Sequence, residues 1–258
     1  MIRARKRFGQ HFLHDPQVLQ RIVAAIAPQP GDALLEIGPG TGALTALLLE
    51  HAPTLDAIEI DRDLAHLLQQ RWPQRLRLHV SDALDFDYTQ LAAARGGKLR
   101  VIGNLPYNVS TPLLFRLLAH VNALHDLHVM LQKEVIDRMA AAPGSADYGR
   151  LTVMLAPHLH IERLFDVGPG AFHPPPRVWS AVARLTVLPQ PRFAIPPLYG
   201  ELVAAAFAQR RKTLRNSLRA LLTPEDFHAA GIDPGARPET LEPAQFAALA
   251  MLARPVAL

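Results

Sequence analysis

Asn104-Leu105-Pro106-Tyr107 directly follows the apolar run Val101-Ile102-Gly103, and its residue types suit one demanding kind of nucleophile. The exocyclic amine of adenine reacts poorly because its lone pair is delocalised into the ring. A protein that alkylates it must accept hydrogen bonds from the amine and so localise the lone pair. The Asn104 side-chain oxygen and the Leu105 carbonyl offer two such acceptors. Pro106 lacks an N–H and has a fixed φ, which stiffens the loop and keeps that carbonyl aimed. Tyr107 offers a ring on which an unstacked base can lie. No general base is obligatory, since the proton leaves after the methyl group has added. The chemistry asks the protein for positioning and electrostatics. The bland reading of the four residues is a turn with a packed Tyr. Their placement after a strand, downstream of a Gly-rich loop and two acidic strand tips, argues against it.

That Gly-rich loop is Glu36-Ile37-Gly38-Pro39-Gly40-Thr41-Gly42. Gly38 and Gly40 allow a tight turn and a close approach of main-chain N–H groups to a ligand. Taken alone, the loop fits a nicotinamide enzyme and a methyltransferase equally well. Gly38, Gly40 and Ala43 satisfy the dinucleotide pattern, with an acidic residue about 20 positions on. Glu59, ending Ala57-Ile58-Glu59, sits where a carboxylate accepts both hydroxyls of a ribose. Asp61 reads as a helix N-cap. Asp82 follows the next apolar run and is placed to accept from the amine of a bound adenine; its ordinary alternative is a loop-capping Asp. The loop that breaks the tie between the two cofactors is Asn104 to Tyr107.

These residues need a scaffold that brings strand ends together. Short apolar runs at 33–37, 55–60, 76–80, 99–102 and 127–131 alternate with amphipathic stretches opened by caps such as Asp15-Pro16 and Asp61. Such alternation predicts an α/β fold, a doubly wound Rossmann-like sheet whose strand ends converge on one crevice. Runs at 158–167 and 178–188, with no long helix between them, are expected to pair antiparallel at the sheet edge. The Pro-rich stretch 189–197 marks a break. Helical patterns follow at 198–208, 212–222, 224–230 and 243–253. The expected organisation is a catalytic domain, 1–188, with a basic arm at 1–14, and a small all-helical domain, 189–258.

Of the 27 basic residues 23 are Arg, and the formal net charge is +4. That balance favours a polyanionic partner, and Arg suits phosphate forks and stacking on bases. Arg211, Arg215 and Arg219 recur every four residues beside Arg210 and Lys212, predicting a basic helix face aimed at RNA phosphates. Arg5, Lys6 and Arg7 make the arm a second basic site. There is no cysteine, which excludes disulfides and thiolate metal sites and points to a reducing, cytoplasmic compartment. No His or acidic spacing suits a metal, and no apolar stretch is long enough to span a membrane.

Seven runs together resemble the ribosomal RNA adenine dimethyltransferase family, in particular its bacterial small-subunit branch. They are KRFGQHFL (6–13), EIGPGTGALT (36–45), GNLPYNVSTPLL (103–114), QKEV (132–135), YGRL (148–151), FHPPPRV (172–178) and RRKTLRNSL (210–218). The resemblance covers nearly the whole chain. It implies an S-adenosylmethionine-dependent enzyme that dimethylates two adjacent adenosines near the 3′ end of small-subunit ribosomal RNA, within a pre-ribosomal particle, as a monomer. By the same resemblance the cofactor positions fall on His11, Leu13, Gly38, Glu59, Asp82 and Asn104. Phe172 is implied to hold the target base opposite Tyr107. The chain has His11 where the family often has Asn, and Arg177 where it often has Lys. Rival readings are a large-subunit enzyme of the antibiotic-resistance type, a DNA adenine methyltransferase, and a methyltransferase-like nucleic-acid-binding factor without catalysis.

Overall fold

The computed structural model describes residues 5, 9–209 and 212–255. The chain divides into two compact units, Met1–Ile136 with Ile161–Val187, and Asp137–His160 with Leu188–Leu258. The second unit therefore takes in a segment, Asp137–His160, that a single cut at 188/189 assigns to the first. The chain crosses between units more than once, and no composition shift marks the earlier crossings.

In the first unit the apolar runs become β2 (Ala33–Ile37), β3 (Leu55–Glu59), β4 (Leu76–Val80), β5 (Leu99–Asn104) and β6 (Leu124–Gln132). These pair in parallel in the order β4-β3-β2-β5-β6. Then β9 (Ser180–Val187) joins antiparallel to β6, and β7 (Leu159–Val167) forms the edge beside it. All five residues of β3 are buried, as are four of the five in β2. Strands covered on both faces need no polar alternation, which is why they read as continuous apolar runs. Three buried acids interrupt these runs, Glu36 in β2 and Asp56 and Glu59 in β3; Asp56 is held by the guanidinium of Arg95 at 2.7 Å and the ring of His79 at 2.9 Å.

Connecting helices are α1 (Pro16–Ile26), α2 (Ala43–His51), α3 (Arg62–Arg71), α4 (Tyr88–Arg95) and α5 (Ser110–Ala119). Asp15 opens α1 by accepting from the Gln17 and Val18 amides at 2.8 and 3.1 Å, and Asp61 opens α3 by accepting from Asp63. Each cap satisfies an amide that a helix end leaves orphaned, worth about 1 kcal/mol. Leu19, Ile22, Val23 and Ile26 of α1 pack with Leu44 and Leu48 of α2 against Leu34, Ile102, Met130 and Val182 of the sheet. Two segments too short to announce themselves, β1 (Phe12–Leu13) and β8 (Phe172–His173), pair antiparallel, Leu13 opposite Phe172.

The second unit is built from the end of α6 (Lys133–Met139), α7 (Arg150–Leu155), α8 (Tyr199–Phe207), α9 (Leu214–Ser217), α10 (Pro224–Ala229) and α11 (Pro243–Leu252). Its core gathers Tyr148, Val153, Tyr199, Leu202, Leu214, Leu218, Phe227 and Phe246. The Tyr148 and Tyr199 hydroxyls donate to the Leu241 and Val153 carbonyls at 2.7 and 2.9 Å.

The helix expected over 212–222 is a single turn, α9. Tertiary bonds satisfy groups that flank this turn: the Leu214 and Arg215 amides bond to the Ala236 and Pro234 carbonyls, and the Arg254 amide takes the Leu221 carbonyl. The leucines still face the core. Arg219, however, lies beyond the helix end, so the Arg repeat does not ride on one helix face.

Candidate active site

The strand order reverses at β2, with β3 on one side and β5 on the other. At such a switch point the loops leaving adjacent strands diverge and open a crevice. The Gly-rich loop leaves β2 there and the Asn104 loop leaves β5. Ile37 lies opposite Gly103 in the register, and a Cβ on Gly103 would fall 2.7 Å from the Ile37 carbonyl oxygen. Glycine at 103 is what lets the two loops start side by side.

Between them lies a cavity of about 290 Å³. Its walls include His11, Leu13, Gly38, Gly40, Glu59, Asp82, Asn104, Leu105, Pro106 and Tyr107. Ten residues singled out from sequence thus converge on one space. Gly40 adopts φ +57, and a Cβ there would sit 3.0 Å from the Phe12 ring. A side chain at 40 would be both strained and crowded.

Glu59 is buried and holds the loop: its two oxygens accept from the Gly40 amide at 3.2 Å and the Asp61 amide at 2.9 Å. Burial raises its carboxyl above the ordinary value, while those amide bonds oppose the rise. Asp82 accepts from the Leu84 amide at 2.9 Å, so the loop-capping role weighed for it is present beside its place in the cavity wall. Glu36, at the end of β2, is a wall residue the sequence reading passed over. Burial pushes its carboxyl up to about 7, with the Thr45 hydroxyl at 2.6 Å opposing and Glu59 adding to the rise.

The Asn104 amide nitrogen donates to the His11 carbonyl at 2.9 Å. With its N–H₂ held, the side-chain oxygen is presented as an acceptor. The contact His11 makes here is therefore through its main chain. Its ring serves elsewhere: Nδ1 donates to the Pro174 carbonyl at 2.8 Å, and the imidazole stacks on Tyr107 with centroids 5.6 Å apart. Tyr107 is fastened at its other end, its hydroxyl 2.5 Å from Ser180 Oγ. Burial raises the Tyr107 phenol above its ordinary pKa, so it stays neutral. The Leu105 amide bonds to the Met130 carbonyl at 3.1 Å, and the Val109 amide and Ser110 hydroxyl take the Pro106 carbonyl. Among the described residues nothing takes the Leu105 carbonyl, which leaves it available as the second acceptor.

Phe172 is not brought to the cavity. It is 2% exposed and packs in the core with Leu13 and Val167, because pairing with β1 turns it inward. Arg5 also departs from expectation. Its guanidinium bonds to Asp61 at 2.9 Å and to Asp63, so it clamps the arm to the start of α3 rather than standing free for phosphate. Gln10 adds a bond to Asp61 at 3.2 Å. Lys212, Arg215 and Arg219 are exposed. Lys6, Arg7, Arg210 and Arg211 lie outside the described residues.

The residues present suit a nucleoside carrying a charged amino-acid tail. Three acidic side chains, Glu36, Glu59 and Asp82, and a glycine-lined main chain share the cavity wall with apolar residues and Asn104. Among the described residues no group of three His, Asp or Glu side chains is placed to hold a metal.

A family model described as ribosomal RNA adenine dimethylase matches residues 1–254. The ribosomal RNA small subunit methyltransferase A of Thiobacillus denitrificans is 55% identical, over 95% of this chain and 96% of its own length. The protein of the same name from Pseudomonas aeruginosa is 54% identical, over 96% and 94%. Among solved structures, a dimethyladenosine transferase from Plasmodium falciparum superposes with a TM-score of 0.79 at 24% identity, covering 93% of this chain and 96% of that one. The 23S rRNA methyltransferase ErmE superposes at 0.68 with 25% identity, covering 93% and 98%. A match across nearly the whole chain, on a Rossmann-like sheet with the Gly-rich and Asn-Leu-Pro-Tyr loops at its switch point, places the protein: it belongs to the ribosomal RNA adenine dimethylase family, S-adenosylmethionine-dependent methyltransferases.

Proposed function

We propose that this chain dimethylates the 6-amino groups of two adjacent adenosines near the 3′ end of small-subunit ribosomal RNA. The observation that carries this reading is the Asn104 amide nitrogen, bonded to the His11 carbonyl at the cavity wall, which leaves the side-chain oxygen as the group free to accept. The identity to proteins named for the small subunit, 55%, against 25% to a 23S enzyme, favours the small-subunit RNA over the large.

S-adenosylmethionine supplies an electrophilic methyl group on a positively charged sulfur. Asn104 Oδ1 and the Leu105 carbonyl accept the two N–H bonds of the target amine and turn its lone pair out of the ring. As the N–C bond forms and the methyl–sulfur bond breaks, leaving a neutral thioether, the nitrogen would become tetrahedral and cationic and both hydrogen bonds would strengthen; the surplus proton then passes to solvent. An interaction that strengthens on the way to the transition state raises the rate rather than the affinity. The Tyr107 face lies under the forming cation and favours it. Tyr107 itself removes no proton, since its hydroxyl is engaged by Ser180 and its pKa is raised. After the first transfer one N–H remains, and one acceptor suffices for the second. Glu59 and Asp82 orient the cofactor's ribose and adenine from the β3 and β4 ends.

Arg215, Arg219 and Lys212, exposed in the second unit, contact RNA phosphates, and Arg210 and Arg211 belong to the same run. The substrate is a pre-ribosomal particle in the cytoplasm, met by the enzyme as a monomer. Among the described residues no helix is long and apolar enough to cross a membrane.

The test is incorporation of labelled methyl into small-subunit particles that lack the modification, followed by nucleoside analysis. The expected product is N6,N6-dimethyladenosine at two adjacent positions. Label confined to large-subunit RNA, or no label with intact cofactor binding, overturns the reading.

A further inference from the structure

Among the described residues one Phe, Tyr or Trp is exposed, and it is Trp179, at 56%. An indole left in water forgoes much of the burial that stabilises large aromatics. Its two predecessors, Arg177 and Val178, are exposed as well. The three follow the run Pro174-Pro175-Pro176, which restricts the main chain leading to them.

Position connects this triplet to the site. Ser180, the next residue, opens β9 opposite Gln132, the last residue of β6. The Lys133 amide extends that ladder to the Trp179 carbonyl at 2.9 Å. Trp179 therefore stands at the same end of the sheet as the loops leaving β2 and β5. The Ser180 hydroxyl holds Tyr107, so one peptide unit separates the exposed indole from the anchor of the catalytic ring. The indole edge lies beside Gly168, whose lack of a side chain leaves room for it. An exposed aromatic face near an exposed guanidinium matches an unpaired nucleotide, whose base stacks and whose phosphate pairs.

We infer that Trp179 is a stacking platform for an unpaired RNA base next to the adenosine being methylated, with Arg177 contacting the phosphate that joins them. The inference rests on the reading of this chain as an RNA methyltransferase. The occupant is single-stranded RNA rather than a protein, because the apolar surface is one ring and one Val beside a cation, continuous with a base-handling loop.

The test uses the full-length enzyme. Trp179→Ala should raise the KM for unmethylated small-subunit particles by about tenfold, within the range for one lost base stack. The kcat should stay within about twofold. Cofactor affinity should not change, and Trp179→Phe should restore most of the KM. The chain has two tryptophans, so quenching of wild-type fluorescence by a short single-stranded RNA with two adjacent adenosines should be lost in Trp179→Phe. An unchanged KM in Trp179→Ala, or quenching that persists in Trp179→Phe, overturns the platform. A wild-type enzyme that forms no dimethyladenosine overturns the underlying reading instead. The fluorescence change is read without turnover and still decides the stacking.

Discussion

The Asn104 side chain shows how much a single amide depends on its neighbour. Its nitrogen is tied to the His11 carbonyl, and only that tie leaves the oxygen for the substrate. Asn104→Ala should lower the single-turnover rate of saturated enzyme by about a hundredfold, the scale for one preorganised electrostatic partner, with little change in RNA affinity. Asn104→Asp should do no better, since a carboxylate would face the His11 carbonyl without a proton to share. A rate near wild type for either variant removes Asn104 from the chemistry. Glu59 is placed differently, accepting from two main-chain amides beside its proposed ribose contact. Glu59→Ala should weaken S-adenosylmethionine binding in calorimetry by roughly 1.5–3 kcal/mol, and an unchanged dissociation constant excludes the ribose role. Glu59→Gln keeps an acceptor and should lose less.

At the scale of the element, β2 carries a carboxyl into the core. Glu36 titrates near 7 when folded against an ordinary value of 4.5. The folded state holds that proton more tightly than the unfolded one, so this contribution to stability is full below about pH 4.5 and lost as pH rises through about 7. Glu36→Gln has no proton to lose. Relative to wild type it should gain about 3 kcal/mol between about pH 4.5 and about pH 8, by chemical denaturation at each pH. A constant gap between the two proteins would show that Glu36 is ionised throughout. The elements themselves were unevenly legible. Strands β2, β3, β5 and β6 announce themselves because strands buried on both faces are largely apolar, and Asp15 and Asp61 mark helix starts by their own side chains. What stayed hidden is non-local. β1 and β8 are two residues each and exist only by pairing with one another. The inward turn of Phe172 follows from that pairing, and Ser180 gains meaning only through Tyr107. The bonds that tie the start of α9 to the 234–236 loop are likewise non-local, and no local propensity reports them.

For the whole molecule the governing force toward a substrate is charge. Each phosphate a cation neutralises releases counterions, so affinity falls with salt in proportion to the number of contacts. Replacing both Arg215 and Arg219 with Ala should weaken particle binding and flatten the salt dependence by about one unit per lost contact. Cofactor affinity should be untouched, because the cavity is built within the first unit. An unaltered slope would make these Arg ordinary solvated side chains and move the search to the arm.

The fastening of His11 to Pro174 has a consequence for how the enzyme is born. The two residues are 163 positions apart, and His11 in turn sets the Asn104 amide. As the chain leaves the ribosome, the Gly-rich loop and β2 to β5 are complete long before residue 174 emerges, and domains tend to fold as they appear. A nascent chain halted before that point would hold most of the cofactor pocket with the His11 anchor missing. The His11 anchor, and with it the setting of Asn104, therefore waits on the arrival of the Pro-rich run. Segments truncated between β6 and β8 also lose β9, the partner of β6, and β8, the partner of Leu13 in the cavity wall, so they should neither bind cofactor fully nor transfer methyl.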